Sequence, residues 1–158
     1  MSTLIAYATK YGCTKTCAEI LAKKLDEKAD IYDLSGKLPN PAQYDKVIIG
    51  GSIYAGKIRK QAARFCADNL SVLKDKKLGL FICGMADEDD ARKQLESSFP
   101  KELLAAAVAR EFFGGACNYE KMNFMESFIM KKITGSKISQ SRIAEDNIIR
   151  FSDEMKNA

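Results

Sequence analysis

Thr9, Gly12 and Thr14 form the pattern Thr-x-x-Gly-x-Thr between an apolar run that begins at Thr3 and a stretch of helical periodicity. Such a strand-loop-helix junction attracts an anion. The first N–H groups of a helix lack intrahelical partners, the positive end of its dipole faces the loop, and the hydroxyls add donors. The loop, which also contains Lys10, Tyr11 and Cys13, has no Lys-Ser/Thr pair for magnesium and a nucleoside triphosphate, and it lacks the three glycines of a dinucleotide fingerprint. A hydroxyl-rich loop with little cationic help suits a single phosphate monoester. The same residue types also serve as ordinary helix caps. Cys13 stands where a thiolate is favoured, but a bound phosphate dianion opposes that effect, so it reads as a loop residue.

A second loop, Gly50-Gly-Ser-Ile-Tyr-Ala-Gly-Lys57, follows the apolar run Val47-Ile-Ile49. From Gly51 it spells Gly-x-x-x-x-Gly-Lys, close to a Walker A loop. The next residue is Ile58, where triphosphate chemistry needs a Ser or Thr hydroxyl on magnesium, and no later strand ends in a magnesium-binding Asp. A response-regulator receiver needs a phospho-accepting Asp at the end of this strand, and Gly50 stands there instead. A third loop of small and polar residues, Gly84-Met-Ala-Asp-Glu88, follows another apolar run.

The remaining residues must position these loops. The first helix is expected from about Thr14 to Leu25, with Ala18, Leu21, Ala22 and Leu25 on one face. Ala29 to Asp33 is expected as a second strand and Tyr44 to Gly50 as a third, separated by Leu38-Pro-Asn-Pro41. Val47, Ile48 and Ile49 form a continuous apolar run, which implies burial on both faces and hence a parallel sheet covered by helices. Ile58 to Asn69 follows as a helix, Lys77 to Cys83 as a fourth strand, and Asp87 to Phe99 as an exposed helix with acidic residues at its start. Val108 to Phe113 is the fifth strand, with Arg110 and Glu111 suggesting an edge. Helices at about Asn123 to Lys132 and Glu145 to Met155 complete the reading. This alternation predicts a three-layer α/β fold, a doubly wound sheet of five parallel strands, formed by residues 1–158 as one domain. In the order 2-1-3-4-5 the loops 9–14 and 50–57 meet at the switch point, beyond the carboxyl ends of the first and third strands.

Composition excludes several classes of function. Histidine is absent from the 158 residues, which removes His-based triads, His metal sites and the usual general base. The five cysteines have no paired Cys-x-x-Cys spacing, and reduced thiols explain them better than disulfides or zinc. A net charge of +4 without a dense Lys/Arg block argues against nucleic acid as a partner. The longest apolar run is too short to span a bilayer and the start is no signal peptide, so a cytoplasmic protein is expected.

Thr9, Gly12, Thr14 and the stretch Gly50 to Gly56 resemble the motifs of flavodoxins, and the order and size of the elements agree over nearly the whole chain. The resemblance implies non-covalent FMN and electron transfer. The phosphate would lie on Thr9, Lys10, Tyr11, Gly12, Cys13 and Thr14, and one side of the ring on Ser52, Ile53, Tyr54, Ala55 and Gly56. Gly84, Met85, Ala86 and Asp87 would border the other face or the dimethylbenzene edge. Flavodoxins turn a backbone carbonyl of the second loop toward flavin N5 on one-electron reduction, and the small residues Ala55 and Gly56 permit that rotation. No catalytic residue is then needed, since FMN does the redox chemistry. A narrower resemblance, to the bacterial menaquinone-dependent protoporphyrinogen oxidases, rests on Gly51 to Lys57 and on Ala116-Cys-Asn-Tyr-Glu-Lys121 running into Phe128-Ile-Met-Lys-Lys-Ile133. It implies a quinone-linked dehydrogenase. A flavodoxin-fold binding module without flavin stands as a third reading.

Lys57 and Arg59 lie beside the expected ring and Lys10 in the phosphate loop, in contrast to the acidic surroundings typical of electron-shuttling flavodoxins. One unit charge about 8 Å away at an effective dielectric of ~20 contributes roughly 2 kcal/mol before screening, so a less negative potential is expected. The apolar and basic segment 119–133 suits either a core-facing helix or a shoulder that meets a redox partner, a quinone or a membrane surface.

Overall fold

The computed structural model describes residues 2–10, 12–25, 27–54, 56–117 and 140–158. In chain order the elements are β1 (Thr3–Ala8), α1 (Cys13–Lys24), β2 (Ala29–Asp33), a short 3-10 turn (Pro41–Gln43), β3 (Lys46–Tyr54), β4 (Lys57–Ile58), α2 (Lys60–Asp68), α3 (Leu70–Leu73) and β5 (Lys77–Cys83). They continue with α4 (Glu88–Ser98), α5 (Lys101–Ala106), β6 (Ala107–Phe112), β7 (Gly114–Cys117), β8 (Gln140–Ile143) and the C-terminal helix, α6 (Glu145–Lys156). Five parallel strands are ordered β2-β1-β3-β5-β6. With the small hairpin strand β4 set aside, that is the expected 2-1-3-4-5 order.

The apolar runs are buried on both faces because alternate residues of each strand point to opposite layers. Leu4, Ala6, Val47, Ile49, Leu78, Leu80 and Ile82 pack with Ala62, Phe65, Cys66, Leu73 and Leu103 on the side of α2, α3 and α5. Ile5, Tyr7, Ile48, Phe81 and Ala109 pack with Cys17, Ala18, Leu21, Ile148, Phe151 and Met155 on the side of α1 and α6. The helix ends follow charge. Lys23 and Lys24 lie in the last turn of α1, and Glu88, Asp89 and Asp90 open α4 beneath an Asp87 cap whose carboxylate accepts from the Asp90 N–H at 2.9 Å, both favourable to the helix dipole.

Three expectations need correction, and one element was missed. The third strand does not stop at Gly50 but continues to Tyr54, because β4 pairs back on it with Ile53 opposite Ile58 and Tyr54 opposite Lys57. The helix expected from Ile58 therefore starts at Lys60. Cys13 is the first residue of α1, not a loop residue. The ribbon of β7 and β8 was not anticipated at all. The edge position of the fifth strand holds, since β6 pairs only with β5 among the described residues. The helix expected at 123–132 and the shoulder segment 119–133 lie outside the described residues.

One buried cation fastens the last helix to the sheet. Lys46, 3% exposed at the start of β3, donates from Nζ to the Met155 carbonyl at 2.8 Å and lies 3.8 Å from Glu27 Oε1. Its charge meets the negative end of α6. Lys46→Met is expected to lower stability by about 1.5–3 kcal/mol, the range for hydrogen bonds to charged groups. Urea denaturation of the variant checks it.

Candidate functional site

The direction of chain crossing reverses between β1 and β3, so their carboxyl-end loops lead to helices in opposite layers. In the first loop the Gly12 N–H donates to Thr9 Oγ1 at 2.9 Å, which folds the loop back on itself. Gly12 then takes a left-handed conformation, φ 91°, and caps α1 without a side-chain acceptor. Thr16 Oγ1 donates to the Gly12 carbonyl at 3.1 Å. Thr14, in the first turn, is 0% exposed. Its hydroxyl has no hydrogen-bond partner among the described residues. Buried hydroxyls are ordinarily paired, and this one lies at the positive end of the helix.

The second loop is a tight hairpin, not a phosphate-cradling loop before a helix, which disposes of the Walker-like pattern. Gly56 holds φ 80° at its turn, a conformation costly for a residue with Cβ. Ser52 is half-buried, and its Oγ also lacks a partner among the described residues. Ile53 packs against the core. Tyr54 projects at the tip, where Lys10 Nζ sits 4.2 Å from its ring centroid. That cation–π contact joins the first loop to the second. Tyr54 also lines a cleft of about 350 Å³ with Lys57, Ile58, Arg59, Lys60 and Gln61. The Arg59 Nε and Gln61 Oε1 atoms are buried there without partners among the described residues.

The third loop is fixed by backbone. The Gly84 N–H donates to the Gly114 carbonyl at 2.9 Å, so β7 backs this loop. Met85 and Ala86 are half-buried and Asp87 is exposed, its carboxylate engaged in capping α4. Beyond it, a cavity of about 550 Å³ between α4, β6 and α6 is lined by Glu88, Arg92, Arg110, Glu111 and Arg150 among others. Burial pushes the Glu111 carboxyl up, while Phe112 N–H and Arg150 partly oppose it.

Thus Thr9, Lys10, Gly12, Cys13 and Thr14 cluster at one helix end, Lys10 reaches Tyr54, and Gly84 lies beside the second loop, where an added Cβ would fall 3.3 Å from the Ile53 Cβ, with β7 behind it. Tyr11 and Ala55 lie outside the described residues. Sequence reasoning missed the Lys10–Tyr54 contact, which no spacing signals, and a group of three cysteines, for which the spacing of Cys13 and Cys17 was a partial signal.

The flavodoxin domain family matches residues 4–143, most of the 158-residue chain. The chain belongs to the flavodoxin domain family. This flavodoxin-domain protein is 25% identical over 142 residues to the protoporphyrinogen IX dehydrogenase [quinone] of Escherichia coli K12, covering 84% of this chain and 78% of that protein. It is similar to the structure of a short-chain flavodoxin associated with a non-canonical PDU bacterial microcompartment, with a TM-score of 0.66 and 15% identity over 99% of this chain and 97% of that one. It is likewise similar to oxidised flavodoxin 2 from Bacillus cereus, with a TM-score of 0.60 and 19% identity over 99% of both chains. At these identities the structures show a shared flavodoxin-like fold. Among the described residues, no helix is long and apolar enough to cross a membrane.

Proposed function

We propose that this flavodoxin-domain protein binds FMN non-covalently at the carboxyl ends of β1, β3 and β5 and exchanges electrons with a redox partner protein or a quinone. The observation that carries the reading is the buried Thr14 hydroxyl at the start of α1, which has no partner among the described residues. A phosphate monoester supplies the acceptor this donor lacks, at a helix end suited to anions. Ser52 Oγ is a second buried donor without a partner among the described residues. The residues therefore fit the group.

FMN, when bound, supplies one- and two-electron redox chemistry; the chain supplies binding, orientation and electrostatics. Thr14, Thr9 and the first-turn N–H groups of α1 hold the phosphate. Tyr54 and the hairpin flank the ring, and Gly56, free of Cβ, allows the turn peptide to rotate. Lys10, Lys57 and Arg59 make added negative charge less costly than an acidic rim would. A cytoplasmic location accords with this role.

Anaerobic titration with FMN and with riboflavin tests the reading. Saturable FMN binding at least about tenfold tighter than riboflavin is expected, one charge-assisted hydrogen bond alone being worth that much. Equal affinities, or no binding of either, would overturn it. The similarity to the Escherichia coli dehydrogenase and the arginine-bearing cavity beside the third loop favour a second reading, oxidation of a porphyrinogen with a quinone as acceptor. Turnover of protoporphyrinogen by the FMN-loaded protein with a menaquinone analogue separates that reading from a simple carrier.

A further inference from the structure

Three cysteine sulfurs from two elements meet beneath the first loop. Cys13 and Cys17 are four residues apart on α1, which places them on one face, and Cys83 ends β5 under that face. The three Sγ atoms all lie within 4.8 Å of one another. Three sulfurs at about 2.3 Å from a central ion in a trigonal plane are about 4 Å apart. The cluster thus needs only a small contraction to close on an ion.

We propose that Cys13, Cys17 and Cys83 form a three-sulfur site for a soft monovalent metal ion of the copper(I) class. The donor set is all sulfur, which selects soft ions over magnesium, calcium or manganese. Zinc favours four ligands, whereas this group offers three, among apolar neighbours such as Phe81, Phe113 and Ile148. Cys17 and Cys83 are 0% and 1% exposed, and Cys13 is 9% exposed. Cys13 therefore marks the way in.

Each Cu–S bond formed at a thiol replaces an S–H bond whose proton leaves to solvent; copper stays monovalent and nothing is oxidised or reduced. An ion held there ties the first turn of α1 to the end of β5.

The test is anaerobic titration of the reduced full chain with copper(I) against a chromophoric copper(I) chelator, with no flavin added, so that its outcome is independent of the FMN reading. One equivalent is expected to bind, and X-ray absorption should give three sulfur neighbours at about 2.3 Å. Loss of an outer-shell partner already costs about 10–100-fold in metal affinity, so Cys17→Ala and Cys83→Ala should each cost about 100-fold or more. Cys66→Ala, in the opposite core layer, should keep the wild-type affinity. Failure to compete with the chelator, a sulfur count below three, or equal losses in Cys66→Ala and Cys17→Ala would overturn the site. The wild-type sulfur count decides even if a cysteine variant fails to fold.

Discussion

Gly50→Ala is expected to destabilise the protein by about 3 kcal/mol or more, at or beyond the upper end of overpacking losses, although it adds a single methyl to a strand. Gly50 lies opposite Phe81 in the β3/β5 register. A Cβ at Gly50 would fall 2.0 Å from the Phe81 Cζ and 2.3 Å from both Cε atoms. The ring has nowhere to withdraw. It stacks on Phe113 with centroids 4.4 Å apart, and Phe151 of α6 meets both rings edge-on at 6.1 and 5.2 Å. Displacing Phe81 therefore disturbs the three-ring cluster that docks the C-terminal helix. At about 2–4 °C per kcal/mol for a chain of this size, the melting temperature should fall by roughly 6–12 °C. Thermal and urea melts check this, and a loss below about 1 kcal/mol would mean that the ring has room to move. In Gly50→Ala/Phe81→Leu the two changes should be strongly non-additive, the smaller side chain recovering part of the loss.

That contact also shows where reading the sequence succeeds and where it stops. Gly50 was legible as the absence of a phospho-accepting Asp, but its positive reason, a ring lying across it, depends on the register between two strands. The order of the parallel sheet was legible because the central apolar runs, Val47-Ile-Ile49 above all, require burial on both faces, and stretches of helical period follow the first, third and fourth strands, whereas only a Pro-containing connection separates β2 from β3. The short helix α5 was not, since Lys101-Glu-Leu-Leu-Ala-Ala106 is too brief to establish a period and leads directly into β6. β7 carries Gly-Gly-Ala-Cys, with no strand propensity of note; it is held by pairing with β8, far along the chain. The second loop was misjudged because glycine and small residues signal a turn without fixing its length. The pairing of Tyr54 with Lys57 settles that length at two residues. Of the candidate site, the anion-binding start of α1 was visible in the types and spacing of Thr9, Gly12 and Thr14. The contact of Lys10 with Tyr54 and the meeting of Cys83 with Cys13 and Cys17 were invisible, because each joins segments far apart in sequence.

Thr14→Val should separate function from stability in opposite directions. The substitution keeps the branched shape and removes only the hydroxyl, which is buried and has no partner among the described residues. An unsatisfied buried polar group costs about 1–3 kcal/mol, and valine in the first turn of a helix costs a few tenths relative to good helix formers. The ligand-free variant is therefore expected to be as stable as the parent or more stable by about 1 kcal/mol. FMN binding should weaken by about 10–100-fold, since a hydrogen bond to a charged phosphate contributes roughly 1.5–3 kcal/mol. Riboflavin affinity should not change, because riboflavin has no phosphate to lose contact with. Thr14→Ser, which restores the donor, should recover most of the FMN affinity. Urea melts without ligand and fluorescence titrations with both flavins give the four quantities needed. A purely structural role for Thr14 would give the reverse pattern: a destabilised ligand-free protein, with FMN and riboflavin affinities falling together. The sign of the stability change, read beside the phosphate-specific loss, thus decides whether the buried hydroxyl at the start of α1 is a ligand donor or part of the core.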